Sequence, residues 1–126
     1  MSELTDKEFE AILSLNAEYR QAMFDRVVAE KEGLYILADE EGPLILEDTE
    51  EDENNNLFSI IPVWSDERLA TAWAKESGNE SMKAQFITKK AWNESWVPML
   101  KEQKNVLLGI MPVAEKDFSV EDLECI

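Results

Sequence analysis

Leu57-Phe58-Ser59-Ile60-Ile61-Pro62-Val63-Trp64-Ser65-Asp66-Glu67-Arg68-Leu69-Ala70-Thr71-Ala72-Trp73-Ala74 changes its hydrophobic period part-way along, and that change sets the fold class. Leu57 to Trp64 is rich in Ile and Phe and reads as a strand. Pro62 predicts an edge position or a bulge near the strand's end, because proline cannot donate to a ladder. Ser65-Asp66 then supplies an N-cap, and Leu69, Ala70, Trp73 and Ala74 share one face of a helix that stops near Gly78.

Beyond that helix, Met82 to Ile87 alternates Met82, Ala84 and Phe86 with Lys83 and Gln85, which predicts a strand with one solvated face. Thr88 can cap another helix carrying Trp92, Trp96 and Leu100 at i, i+4, i+8, with Met99 beside them. Pro98 should kink or divide that helix, since it lacks an amide hydrogen and crowds the carbonyl four residues back. Val106 to Val113 is the most apolar strand candidate, and Ser119-Val120-Glu121-Asp122 is expected to open a last helical turn.

Before the quoted stretch, Thr5-Asp6-Lys7-Glu8 has capping-box spacing, followed by Phe9, Ile12 and Leu13 on one helical face. After a break near residues 14–16, Tyr19, Met23, Phe24, Val27 and Val28 continue the helical pattern, with Gly33 suited to its C-terminal cap. Leu34 to Ala38, the turn chemistry of Asp39-Glu40-Glu41-Gly42, and Pro43 to Leu46 make a β-hairpin. Residues 47–56 are too polar and self-repelling to pack and are assigned to an exposed acidic loop. The expected architecture is a single α+β domain over residues 1–126. Its N-terminal helices pack on one mixed, largely antiparallel sheet, with further helices between strands.

Composition narrows the chemistry. The 126 residues hold 28 Asp and Glu against 12 Lys and Arg, a net charge of −16, and no histidine. Without histidine there are no Ser-His or Cys-His nucleophile pairs and no histidine zinc sites, so carboxylate or lysine chemistry remains, or none. Lys89, Lys90, Lys101 and Lys104 lie among polar neighbours, which suggests solvent rather than a depressed-pKa amine. There is no P-loop, Gly-x-Gly-x-x-Gly or Gly-x-Ser-x-Gly pattern. The single Cys125 cannot form an internal disulfide. Neither the opening residues nor any apolar run has the form of a leader or a membrane span, so a cytoplasmic, non-membrane protein is expected. The negative charge repels phosphate backbones and disfavours direct nucleic-acid binding.

The nine acids Asp39, Glu40, Glu41, Glu47, Asp48, Glu50, Glu51, Asp52 and Glu53 occur without a base between them and carry more than half of the net charge. Asp48, Glu50, Asp52 and Asn54 alternate as in an EF-hand loop, but Glu53 stands where glycine belongs and Ser59 where the bidentate Glu belongs, so no metal is assigned. A solvated face is the plain reading of the block; a contact for a basic protein is the functional one. Of Trp64, Trp73, Trp92 and Trp96, Trp73 and Trp92 sit on apolar stripes and are read as core. Trp64, beside Asp66, is the candidate for a partly exposed contact.

Leu4-Thr5-Asp6-Lys7-Glu8-Phe9, Tyr19-Arg20 with Phe24 and Val27, Ile61-Pro62-Val63-Trp64 and Trp96-Val97-Pro98-Met99-Leu100 together resemble the bacterial domain-of-unknown-function 2750 family. The second half, from Ile61-Pro62-Val63-Trp64 through Arg68-Leu69-Ala70, resembles more loosely the N-terminal domain of SseB-like proteins, which implies a mixed α+β sheet. Neither resemblance carries a catalytic residue onto this chain.

Two readings follow. The first is a non-catalytic protein-binding or regulatory module, immunity- or antitoxin-like in one version, with the acids above, Trp64 and Asp66 as its contact residues. Its partner is a basic protein; no cofactor is assigned, and the chain itself is a monomer or weak homodimer. The alternative is a carboxylate-based enzyme or small-molecule binder with a site near Trp64 and Asp66. That reading needs a concave pocket and a buried, unpaired carboxylate.

Overall fold

The computed structural model describes residues 5–51, 57–102, 105–113 and 118–123. Helix α1 (Asp6–Ser14) opens with the capping box: Thr5 Oγ1 accepts the Glu8 amide at 3.1 Å, and Glu8 Oε1 accepts the Thr5 amide at 3.3 Å. Leu15 is extended, and Asn16 caps α2 (Ala17–Lys31) by accepting the Tyr19 amide at 3.0 Å. The break expected at residues 14–16 is therefore two helices.

The buried stripe of α2 is Arg20, Phe24 and Val28, while Tyr19 is 65% exposed. Phe24 and Val28 are thus buried as the pattern requires and Met23 packs on the core, while at the start of the stripe Arg20 takes the inward place and Tyr19 faces out. Glu32, with φ 56°, takes the left-handed position expected of Gly33. Gly33 instead begins β1 (Gly33–Asp39), and a Cβ there would stand 2.6 Å from Phe86 Cε1 and 2.7 Å from the Ile87 carbonyl. Its missing side chain serves a close approach rather than a turn.

β1 pairs antiparallel with the two-residue β2 (Gly42–Pro43), as the hairpin reading requires, and with β5 (Lys83–Thr88). A second sheet has the order β3 (Leu46–Glu51), β4 (Leu57–Val63), β6 (Val106–Ile110), β7 (Ser119–Glu121). The β4–β6 pair is parallel and its neighbours are antiparallel, so the fold is α+β with mixed, mostly antiparallel pairing. Parallel neighbours need a long crossover, supplied here by α3 (Glu67–Glu76), β5 and the helical segment 89–101.

The single expected sheet is thus two, joined at a seam. Tyr35 and Trp64 exchange backbone hydrogen bonds of 2.8 and 2.9 Å. Ser59 donates to the Asn105 carbonyl and Met111 to the Val63 carbonyl, so odd residues of β4 face β6 and even ones face away from it. On that far side β3 pairs last at Ile60 and β1 begins at Trp64, with Pro62 between them. Pro62 thus occupies an interior strand at a position where, among the described residues, its missing donor interrupts no ladder, a local edge.

Three further differences have local causes. Residues 47–51, expected in a loop, run as β3 along β4 with a register shift between Glu47 and Glu51. Backbone pairing is indifferent to acidic side chains, and the Leu57–Ile60 stretch of β4 offers donors and acceptors for it. Residues 52–56 lie outside the described set. Ser119–Glu121 is a strand rather than a helical turn, because pairing with β6 satisfies more backbone groups than one isolated turn could. In β5 the buried residue is Ile87, and Phe86 is 42% exposed against the Tyr35 ring, the reverse of the expected inward Phe86.

Thr88 caps α4 (Lys89–Ala91) as expected, and a π-helical turn (Trp92–Trp96) leads into α5 (Val97–Lys101), which carries Pro98 in its first turn. The Val97 amide reaches back five residues to the Trp92 carbonyl. The wider turn accommodates the proline by shifting the ladder and so divides the helix without ending it. One core gathers Phe24 and Val28 of α2, Leu34 and Ile36 of β1, Ile61 and Val63 of β4, Leu69 of α3, Trp92, and Leu108 and Ile110 of β6.

Candidate functional site

The strand-to-helix junction places Trp64, Ser65 and Asp66 in sequence, and all three are buried. Because Trp64 forms the seam between the sheets, its side chain is drawn inward. It is fully buried, its Nε1 donates to the Pro112 carbonyl at 2.9 Å, and its ring lies 5.5 Å from that of Trp73. The expected partly exposed contact at Trp64 is therefore corrected: the indole is interior and its one donor is used. Trp73 and Trp92 pack with the core as expected, and the Trp92 Nε1 donates to the Leu123 carbonyl at 3.1 Å.

Asp66 is also committed. Its Oδ1 accepts the Arg68 amide at 2.9 Å as the N-cap of α3, and its Oδ2 meets Lys31 Nζ at 3.2 Å. Lys31 also donates to the Ser65 carbonyl at 3.1 Å and sits 5.9 Å from the Tyr35 ring centre. The Tyr35 phenol is pushed above its ordinary pKa, first by desolvation and then by the negative charges of Glu67 and Asp66. It stays protonated at neutral pH and offers a donor, not a nucleophile. The junction is a cross-link from α2 to α3 in which both carboxylate oxygens of Asp66 are engaged.

The acids of the hairpin turn are placed differently. Asp39, Glu40 and Glu41 are exposed, and Asp39 Oδ1 accepts the Glu41 amide at 2.9 Å, which fixes the turn between β1 and β2. With Ser81 from the turn before β5 and Lys83 and Gln85 from β5 itself, they line an open groove of about 800 Å³. Glu47, Asp48, Glu50 and Glu51 follow in β3, four residues beyond Pro43 at the nearest. Asp52 and Glu53 lie outside the described residues. The structure therefore brings three of the predicted contact acids to one groove, puts four in the next strand, and takes Trp64 and Asp66 into the interior, where they line no part of that groove.

Two charged residues escaped the sequence reading. Arg20 is fully buried and donates to the Leu15 carbonyl at 3.3 Å; apart from its place in the family resemblance, its sequence signal is its i, i+4, i+8 spacing with Phe24 and Val28. Lys31 stands in the last turn of α2, where a cation suits the helix dipole, but its partner lies 35 residues away.

The family profile described as protein of unknown function, DUF2750, matches residues 21–125. The chain belongs to this family. The DUF2750 span takes in both sheets, the acidic turn and the junction, and leaves out the Leu4 to Phe9 opening on which part of the resemblance was drawn. No curated protein and no solved structure matches the chain. Among the described residues, no helix is long and apolar enough to cross a membrane.

Proposed function

We propose that this DUF2750 protein is a non-catalytic protein-binding or regulatory module of the bacterial cytoplasm that engages a basic partner at the acidic β1–β2 turn. An immunity- or antitoxin-like role is one specific form of this activity. The observation that carries the reading is the open groove whose rim bears Asp39, Glu40 and Glu41 against the single cation Lys83. A net charge of −16 steers a cationic protein toward the molecule, and a predominantly acidic rim selects where it settles. The carboxylate-based alternative draws no support from the geometry, since Trp64 is buried and Asp66 is spent on a helix cap and an ion pair.

The test is a pull-down at low and high salt, comparing the parent with the triple variant Asp39→Asn, Glu40→Gln, Glu41→Gln. The Asp39→Asn change retains the turn-forming oxygen, so the fold is kept while three charges go. A basic protein retained by the parent at low salt, released at high salt and lost by the variant supports the proposal. Equal retention by both proteins removes the groove from the interface, and the absence of any salt-sensitive basic partner removes the reading altogether.

A further inference from the structure

We infer that β5 is a self-association edge, through which two copies of the chain pair antiparallel to continue the β2-β1-β5 sheet across a two-fold axis. The first observation is an open ladder. Lys89 donates to the Glu32 carbonyl at 2.7 Å, and Leu34 stands opposite Ile87, so the odd residues of β5 turn their backbone groups to β1. Ala84, Phe86 and Thr88 therefore present N–H and C=O groups outward, and β5 ends its sheet with no strand beside it among the described residues. Such an edge is a template for another strand.

The second observation is that β5 is only lightly covered: α3 lies against it, Ile87 is buried and Ala84 half-buried, yet most of its side chains stay open to solvent. Lys83 and Gln85 on one face and Phe86 and Thr88 on the other are exposed, and only Ile87 is buried. Phe86, 42% exposed beside Tyr35, gives the edge its apolar anchor.

The third observation selects the occupant. The edge is electrically polar: the acids Asp39, Glu40 and Glu41 lie at its Lys83 end, and Lys89 and Lys90 follow its Thr88 end. A strand that pairs antiparallel must carry the opposite order of charge, and a second copy of β5 does so by symmetry. With the axis at Gln85, Ala84 stands opposite Phe86 of the second copy, Lys83 opposite Ile87, and the Lys89–Lys90 end of each copy meets the acidic end of the other. A uniformly cationic peptide would satisfy one end and be repelled at the other. The overall charge of −16 on each copy opposes association, but at physiological salt it is screened beyond about 8 Å while the local contacts are not.

One strand pair is a small interface, so the dimer is weak and appears only at high concentration. Sedimentation equilibrium at physiological salt across roughly 10–500 µM covers the range expected of a contact below the usual ~1,200 Å². The mass should rise from 14.5 kDa toward twice that value. Ala84→Pro and Phe86→Pro each remove an outward amide that β1 does not use, and each should hold the protein at the monomer mass with its circular dichroism unchanged. In the unmodified chain, amide exchange at Ala84 and Phe86 should slow at least several-fold between the lowest and highest concentrations, a readout that needs no variant. A mass that stays monomeric throughout, a dimer that both prolines leave intact, or outward amides whose exchange ignores concentration would each overturn the inference. The proline variants keep Asp39, Glu40 and Glu41, so they should still retain a basic partner of the acidic turn; loss of the dimer with that retention, or the reverse, tells the two proposals apart.

Discussion

Replacing Asp66 tests whether the junction is the structural cross-link described above. In Asp66→Ala, α3 loses the cap that Oδ1 makes to the Arg68 amide, a loss typically of about 1 kcal/mol. The variant also removes the partner of Lys31, in an ion pair whose side chains are 22% and 9% exposed. A pair this sheltered lies between the surface value of roughly 0–1 kcal/mol and the 3–5 kcal/mol seen when a buried partner is deleted. Lys31 keeps the Ser65 carbonyl and some solvent, which places its share near ~1–2 kcal/mol. Asp66→Ala should therefore cost about 2–3 kcal/mol, and Asp66→Asn, which keeps the capping oxygen, about 1–2 kcal/mol. At this chain length roughly 3–4 °C of Tm accompanies each kcal/mol, so Asp66→Ala should melt about 6–12 °C below the parent. Urea and thermal melts of Asp66→Ala, Asp66→Asn, Lys31→Met and the Lys31→Met/Asp66→Asn double variant separate the terms, with a coupling of about 1 kcal/mol expected between the two sites. If Asp66→Ala and Asp66→Asn both fall within about 0.5 kcal/mol of the parent, the cap and the pair contribute nothing and the junction is free for another purpose.

Trp64→Phe keeps most of the apolar volume but leaves the Pro112 carbonyl without its donor, so chemical denaturation should show a loss of about 1–3 kcal/mol; an unchanged midpoint would mean the indole is not seated as described. Gly33→Ala should cost on the order of 1–3 kcal/mol by driving a methyl into the Phe86 ring and the Ile87 carbonyl. Adding Phe86→Leu should restore only part of that in the same urea titration, because the carbonyl cannot move aside. Asp25 has its carboxyl pKa raised, first by desolvation and then by the Glu121 charge, and Glu121 also accepts from Gln21 Nε2 at 2.7 Å. A raised folded-state pKa favours the fold below the unfolded carboxylate value, 3.8, and that advantage disappears as pH rises through the folded value. Asp25→Asn should consequently be more stable than the parent at pH 7, with the difference shrinking as thermal melts are taken toward pH 3; a difference that grows on acidification would contradict the sign.

Much of the fold was legible because its signals are local. The Thr5 capping box, the Asn16 break, the Asp66 cap and the Thr88 cap each act within three residues, and each begins a helix where expected. Phe24 and Val28 were legible in α2 but its first turn was not: Tyr19 and Arg20 are adjacent, and the preference for a buried arginine over an exposed tyrosine depends on what packs above the helix. The acidic turn at Asp39 to Glu41 was readable as a turn, but the groove it forms with Ser81 and Lys83 joins residues some forty positions apart.

The sequence by itself determined the α+β class, the strongly negative surface and most helix starts, because periodicity and capping are properties of neighbours along the chain. The tertiary structure alone decided which strands became partners, turned part of an acidic stretch into β3, divided one sheet into two at Tyr35 and Trp64, and sent Trp64 inward. Those outcomes depend on backbone groups and apolar faces finding complements far away in sequence. A ladder hydrogen bond carries no mark in the side chain that makes it.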